Sequence, residues 1–286
     1  MRKIVKDFLP PISIRIFQDI RIYLKYLNFK KEINKNIKYK NIHKGKRCFI
    51  LGSGTSINKE DLKVLKDEIV FAVNNFYVHE DFDDIMSGNT DKYYMTAPIH
   101  PPQTYTEWKL WFKDMEKKVP LTAKLFVGIN PNSLNAKKLI LNENIFTKHN
   151  INYYYTGKVF SEIFFNKNNL DLSKPIYSAD AVSLYALTTA LYMGFDEIYL
   201  LGMDHDYFLY DNESEMRMYK DAIHQKDEFK RKFGDKFYIN EFLRQYRIFT
   251  MYETYKVNHS SKIFNATSTR VLKVFPSVKF KELFNE

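Results

Sequence analysis

The run Cys48-Phe-Ile-Leu-Gly-Ser-Gly-Thr-Ser56 constrains this chain most: an apolar β-type segment stops in a glycine pair, followed by small hydroxyl residues and a polar helix start. A turn of that kind presents backbone N–H groups and the positive end of a helix dipole to whatever lies above it, and phosphate is the usual occupant. A second apolar segment, Glu197-Ile-Tyr-Leu-Leu201, runs into Gly202-Met-Asp-His-Asp206. Two buried strands that end in glycine and charged residues outline the carboxyl edge of an open α/β sheet, where such sheets bind ligands.

The rest of the sequence fits one α/β domain with appendages. At 286 residues, with 45% hydrophobic and 16% aromatic content, the chain can bury a core and is not a disordered polymer. Its single cysteine, Cys48, has no partner for an intrachain disulfide or a cysteine zinc site, which suits a reducing cytoplasm. No secretory signal and no run of eighteen uncharged apolar residues is found. The net charge of +10 is unevenly placed: residues 1–47 hold 14 Lys and Arg against 3 Asp and Glu, and the remainder 30 against 31. A neutral body removes the electrostatic support for nucleic-acid binding.

Residues 1–46 read as a basic N-terminal appendage and 47–286 as the catalytic domain. Within 13–32, Ile16, Phe17, Ile20, Leu24 and Leu27 recur at helical spacing beside Arg15, Arg21, Lys25, Lys30 and Lys31. Residues 13–47 therefore suit an anionic membrane surface, with the protein peripheral on its inner face, or equally a helix packed on the body or on another subunit of a homo-oligomer. From residue 47 strands are expected at 47–51, 69–73, 84–86, 92–95, 124–128, 197–201 and 262–265, and helices at 58–66, 105–117, 183–193, 213–233 and 238–256. Residues 130–175, rich in Asn, Lys and aromatics without clear periodicity, read as a lid-like insertion.

Several residues could carry chemistry. Gly52, Ser53, Gly54, Thr55 and Ser56 form the glycine turn, which is neither G-x-G-x-x-G nor a Walker loop. A tight turn without ligand uses the same residue types. Asn74 and Asn75 follow the second strand, where a carboxamide can bind a ribose or base edge or merely cap a turn. Thr96 holds a similar strand-end place. Asp204, His205 and Asp206 could act as acid, base or, through Asp204 and Asp206, ligands of Mg or Mn, or they could be a solvated turn. His224, on a charged segment, is either a further acid or base or simply exposed.

Phe49-Ile-Leu-Gly-Ser-Gly-Thr-Ser-Ile57, Phe71-Ala-Val-Asn-Asn-Phe-Tyr77 and Ala186 through Gly194-Phe-Asp-Glu-Ile-Tyr-Leu-Leu-Gly-Met-Asp204 resemble, in order, the core motifs of bacterial CMP-sialic acid-dependent sialyltransferases. They are also similar to a broader group of 6-hydroxymethylpterin pyrophosphokinase-like proteins and flagellin nonulosonate transferases. The likeness covers about residues 47–95 and 178–275. It implies a Rossmann-like core of the GT-A variant type, a mostly parallel sheet flanked by helices. It also implies a CMP-sugar donor, a glycan or lipid-linked acceptor, and inverting transfer without a required metal. On this likeness Gly52, Ser53 and Gly54 surround the CMP phosphate and ribose and Asn75 contacts the nucleotide. Ser178 or Ser183, and Asn265, Thr267 and Ser268, complete the cytidine pocket. Thr55 replaces a proline usual in the family, Asp206 falls near a family tyrosine, and His205 or His224 would have to replace the family's general base. The pyrophosphokinase-like alternative would need ATP and Mg²⁺; a non-catalytic component of a glycan-assembly complex is the third reading.

Overall fold

The computed structural model describes residues 10–132, 135–210, 215–219, 230–231, 234–268 and 271–284. They form α1 (Pro11–Tyr26), α2 (Lys30–Asn34), β1 (Arg47–Leu51), β2 (Val70–Val73), α3 (Phe82–Met86), β3 (Lys92–Thr96), α4 (Tyr105–Lys118), β4 (Lys124–Ile129), α5 (Ala136–Glu143), β5 (Asn150–Lys158), β6 (Ile176–Tyr177), α6 (Val182–Met193), β7 (Glu197–Leu201), α7 (Phe237–Asn258) and β8 (Lys262–Asn265). The eight strands make one parallel sheet in the order β6-β5-β4-β3-β2-β1-β7-β8. This is the expected Rossmann-like α/β fold. The chain builds outward from β1 to β6, then returns through α6 to place β7 on the other side of β1. That reversal leaves a crevice beyond the carboxyl ends of β1 and β7.

Both sheet faces are covered, so the strands carry apolar residues on both sides. Ile50, Phe71, Tyr93 and Met95 point toward α6 and α7, and Phe49, Leu51, Val70 and Tyr94 toward α3, α4 and α5. α6 is buried from Ser183 to Met193, as its uniformly apolar and small sequence demands. Its threonine hydroxyls are satisfied internally: Thr188 Oγ1 donates to the Leu184 carbonyl at 2.8 Å and lies 3.1 Å from Tyr255 Oη of α7, and Thr189 Oγ1 donates to the Tyr185 carbonyl at 2.8 Å. Gly194 ends the helix at φ +81°, a left-handed position that favours glycine.

Three local expectations change. Residues 58–66 form two 3₁₀ turns, Thr55–Lys59 and Leu62–Asp67, in place of a helix. The carbonyls that end the second turn are held by the buried amine of Lys92, which donates to Leu65 at 3.1 Å and to Lys66 and Glu68 at 2.7 Å. Residues 84–86 lie in α3, and 130–175 supply α5 and β5 to the body, not a lid, with β6 directly after them. The helix expected at 213–233 falls mostly outside the described residues.

The N-terminal segment is also knitted into the body. Tyr26 Oη donates to the Ser173 carbonyl at 3.0 Å, and Asn36 Nδ2 to the carbonyls of Tyr153 at 2.7 Å and Leu172 at 3.0 Å. Tyr39 enters the main core and donates to Asn152 Oδ1 at 3.0 Å. Among the described residues no helix is long and apolar enough to cross a membrane.

Replacing Lys92 by Met keeps the aliphatic stem but removes a buried donor shared by three carbonyls, of which Leu65 keeps the Glu68 N–H and Glu68 keeps Thr90 Oγ1. The expected loss is about 2 kcal/mol of unfolding free energy, measured as a lower urea midpoint with unchanged slope.

Candidate functional site

The loops after β1 and β7 meet in the crevice as a hydrogen-bonded seam. Gly52 N–H donates to the Leu201 carbonyl at 2.8 Å and Gly54 N–H to the Gly202 carbonyl at 2.9 Å. The glycines are required by this contact. A Cβ at Gly52 would lie 2.5 Å from the Gly202 carbonyl oxygen, and one at Gly54 2.4 Å from Asp204 Oδ2. Gly202, at φ +63°, and His205, at φ +55°, turn the second loop back across the first. Asp204 is buried and serves the seam: Ser56 N–H donates to Oδ2 at 2.9 Å, Ser56 Oγ donates to Oδ1, and Thr55 Oγ1 lies 3.5 Å from Oδ2.

Above the seam lies a cavity of about 720 Å³, large enough for a nucleotide with a substituent. Its floor holds Gly52, Ser53, Gly54, Asn74, Gly202, Met203, Asp204 and His205. The α6 N-terminus supplies Ser178 to Ser183, and the loop after β3 supplies Pro98 and His100 to Gln103. Trp108 and Trp111 of α4 form an apolar wall, and Tyr207, Arg217, Arg231 and Arg244 close the rim.

The positive side of the cavity is well defined. The Tyr207 ring meets two guanidinium groups, with Arg217 at 6.0 Å and Arg244 at 5.4 Å from its centroid. No side chain caps the start of α6, whose partial positive charge adds to that of the arginines. Residues 215–219 lie over the glycine loop, where Met218 N–H donates to the Ser53 carbonyl at 2.9 Å; Arg231 pairs with Glu107 of α4 at 2.9 Å.

His205 is buried beside Phe249 and Tyr252, with Nε2 3.2 Å from Tyr252 Oη, which is itself 2.8 Å from Ser183 Oγ. Burial, with the nearby Arg244 charge, pushes its pKa down to about 3. The imidazole is therefore neutral at ordinary pH and a weak proton acceptor. Asp206 moves the other way: burial and the Asp204 carboxylate raise its pKa. Tyr210 Oη donates to Asp206 Oδ2 at 3.1 Å, while Oδ1 is buried with no partner among the described residues.

Eight of the expected residues line the cavity: Gly52, Ser53, Gly54, Asn74, Ser178, Ser183, Asp204 and His205. Thr55, Ser56, Asn75, Thr96, Asp206, Asn265, Thr267 and Ser268 are not among its lining residues. Thr96 and Asn75 are fully buried at the ends of β3 and β2. Asn265 spends its side chain on the fold, donating to the Leu272 carbonyl at 2.8 Å and accepting from Thr267 N–H at 2.9 Å. Thr267 Oγ1 in turn donates to the Leu200 carbonyl at 3.1 Å. Ser268 is exposed, and His224 lies outside the described residues. Both Asp204 oxygens already accept from Ser56, so a cation held by Asp204 and Asp206 would compete with those donors. Among the described residues no three His, Cys, Asp or Glu side chains are placed to hold a metal ion.

Sequence reading missed Gln103, Tyr207, Arg217, Arg231 and Arg244. The arginines look like the solvated face of charged helices, and only the fold brings them over the crevice. Gln103, buried on the cavity wall with Oε1 unpartnered, follows a Pro-Pro turn that carries no signal for it.

No protein-family model matches the chain. A search of curated proteins likewise finds no match.

His205 and the structural His43, whose pKa burial lowers to about 4, set a pH dependence of stability. Unfolded, both titrate near 6.5, so on acidification the unfolded chain takes up protons that the folded chain refuses. Their contribution is complete above pH 6.5 and is lost as the pH falls toward 4 and 3. The urea midpoint should therefore drop between pH 7 and pH 5, and His205→Gln should flatten that slope; an unchanged slope would show that His205 takes up its proton as readily in the fold as in the unfolded chain.

Proposed function

We propose that the chain is a transferase acting on a nucleotide-activated sugar, with CMP as the leaving nucleotide. The observation that carries this reading is the convergence, at one switch-point crevice, of the glycine seam, the uncapped start of α6 and the Arg217–Tyr207–Arg244 cluster. A phosphate monoester leaving group needs that kind of preorganised positive surroundings as charge develops on its oxygen. The ordered likeness of the β1, β2 and β7 motifs to CMP-sialic acid-dependent enzymes supports cytidine over other nucleotides. A glycan or lipid-linked acceptor would approach from the Trp108–Trp111 side.

The reaction transfers the anomeric carbon. The acceptor O–H gives up its proton, its oxygen bonds to that carbon, and the bond from carbon to phosphate oxygen breaks with the electron pair leaving on CMP. Asp206 is the better proton acceptor by environment, because its basicity is raised where that of His205 is lowered. It must reach the acceptor from just beyond the cavity wall. His205, neutral and held by Tyr252, serves as a hydrogen-bonding group at the floor.

Thermal shift separates the readings. CMP present at a hundred times its Kd should stabilise the protein by about 2.7 kcal/mol, without added metal and more than UMP or AMP does. Stabilisation only by ATP with Mg²⁺ would favour the pterin diphosphokinase reading, and none by any nucleotide a non-catalytic role.

Two substitutions divide the roles. Arg217→Ala should weaken CMP binding about tenfold, the worth of one charge-assisted hydrogen bond. Asp206→Asn should lower turnover about a hundredfold with CMP affinity kept, whereas His205→Gln should cost less than tenfold; the reverse order would return the base role to His205.

A further inference from the structure

Helix α1 is turned inside out relative to an ordinary surface helix. Three of its charged side chains are turned to the body: Asp19 pairs with Lys158 at 3.0 Å, Lys25 Nζ donates to the Pro131 carbonyl at 2.5 Å, and Arg15 Nη2 donates to the Phe164 carbonyl at 3.4 Å with its guanidinium over that ring. Only Ile22 and Tyr26 are buried among apolar neighbours. The outward stripe is apolar. Ile12, Ile16, Phe17, Ile20 and Leu24 are each between 49% and 65% exposed, at the spacing that sets them on one side of a helix. Beside Arg15, Phe164 and Ile163 extend the patch, and Ile163 is 87% exposed.

A contiguous apolar face of this size on a charged chain marks an interaction surface. Its surroundings select the partner. Arg21 on the helix, and Lys30, Lys31 and Lys35 that follow it in the chain, are exposed, within a stretch of 47 residues that carries 14 basic and 3 acidic side chains. A second copy meeting this face across a two-fold axis would bring like charges together. An anionic lipid surface satisfies both halves, taking the apolar stripe below the headgroups and the cations among them.

We propose that α1, with Ile163 and Phe164, docks the protein on an anionic membrane surface. The helix sits at the rim of the cavity, since Pro131, whose carbonyl accepts from Lys25, lines that cavity. Docking would thus hold the cavity rim close to the bilayer. This surface is independent of the reaction the cavity performs.

Flotation with phosphatidylcholine vesicles, with and without phosphatidylglycerol, tests it on the full chain. The protein should float with the anionic vesicles only and be released by high salt. The variant carrying Ile16→Ser, Phe17→Ser, Ile20→Ser and Leu24→Ser should bind at least tenfold less, with an unchanged melting transition. Equal binding by that variant, or a dimer that it converts to monomer without any vesicle binding by the parent protein, overturns the proposal. Should the variant fail to fold, Phe17→Trp gives a second reading: its fluorescence should be quenched by brominated anionic lipid, and absence of quenching overturns the proposal equally.

Discussion

Everything at the carboxyl edge of the sheet depends on the seam between the loops after β1 and β7. Parallel strands hydrogen-bond only as far as their backbones stay extended, yet here the pairing continues past Leu51 and Leu201 through Gly52 and Gly54. That continuation holds the two backbones so close that neither loop has room for a Cβ at Gly52, Gly54 or Gly202. The seam then fixes the start of the Thr55–Lys59 turn through Asp204, and so fixes the floor of the cavity. A glycine pair after a strand is therefore explained first by backbone packing. Any ligand meets a floor that is already assembled, which reduces the ordering that binding must impose.

Polar groups in the interior follow a consistent rule. The interior holds many tyrosines, and many of their hydroxyls end on a defined partner: Tyr154 on the Thr96 carbonyl at 2.7 Å, Tyr39 on Asn152, Tyr26 on Ser173, Tyr252 on Ser183. Burying a ring and satisfying its hydroxyl gives both apolar area and orientation. The buried Lys92 acts likewise, donating to three carbonyls at the end of the Leu62–Asp67 turn.

That rule explains what the sequence hid. β1, β2, β3, β4, β7 and β8 were legible because buried parallel strands read as continuous apolar runs. β5 was not, because Asn150-Ile-Asn-Tyr-Tyr-Tyr-Thr-Gly-Lys158 looks polar until the partners of Asn152 and Tyr154 are known, and those partners are distant in sequence. The glycine turn, Asn74 and the Asp204–His205 pair were legible as strand ends, where an α/β sheet puts its ligands. Their division of labour was not, since the spacing of Asp204 and Asp206 says nothing about Ser56 reaching one carboxylate and Tyr210 the other. The arginines of the rim come from segments remote from the strand ends, and no local pattern marks them.

Burial also decides which group can do chemistry. His205 looks like the natural base, being an imidazole just past a buried strand, but its ring is enclosed by Phe249 and Tyr252 with a guanidinium near. Each of these penalises the imidazolium, so the site that makes His205 well ordered also makes it a poor proton acceptor. The same low-dielectric surroundings work in the opposite sense on a carboxylate. Asp206 is raised by burial and by the charge of Asp204, and Asp204 stays committed to the seam. One carboxylate built into the scaffold thus raises the pKa of its neighbour two residues on, and the imidazole between them, held neutral by burial, is left as a hydrogen-bonding group.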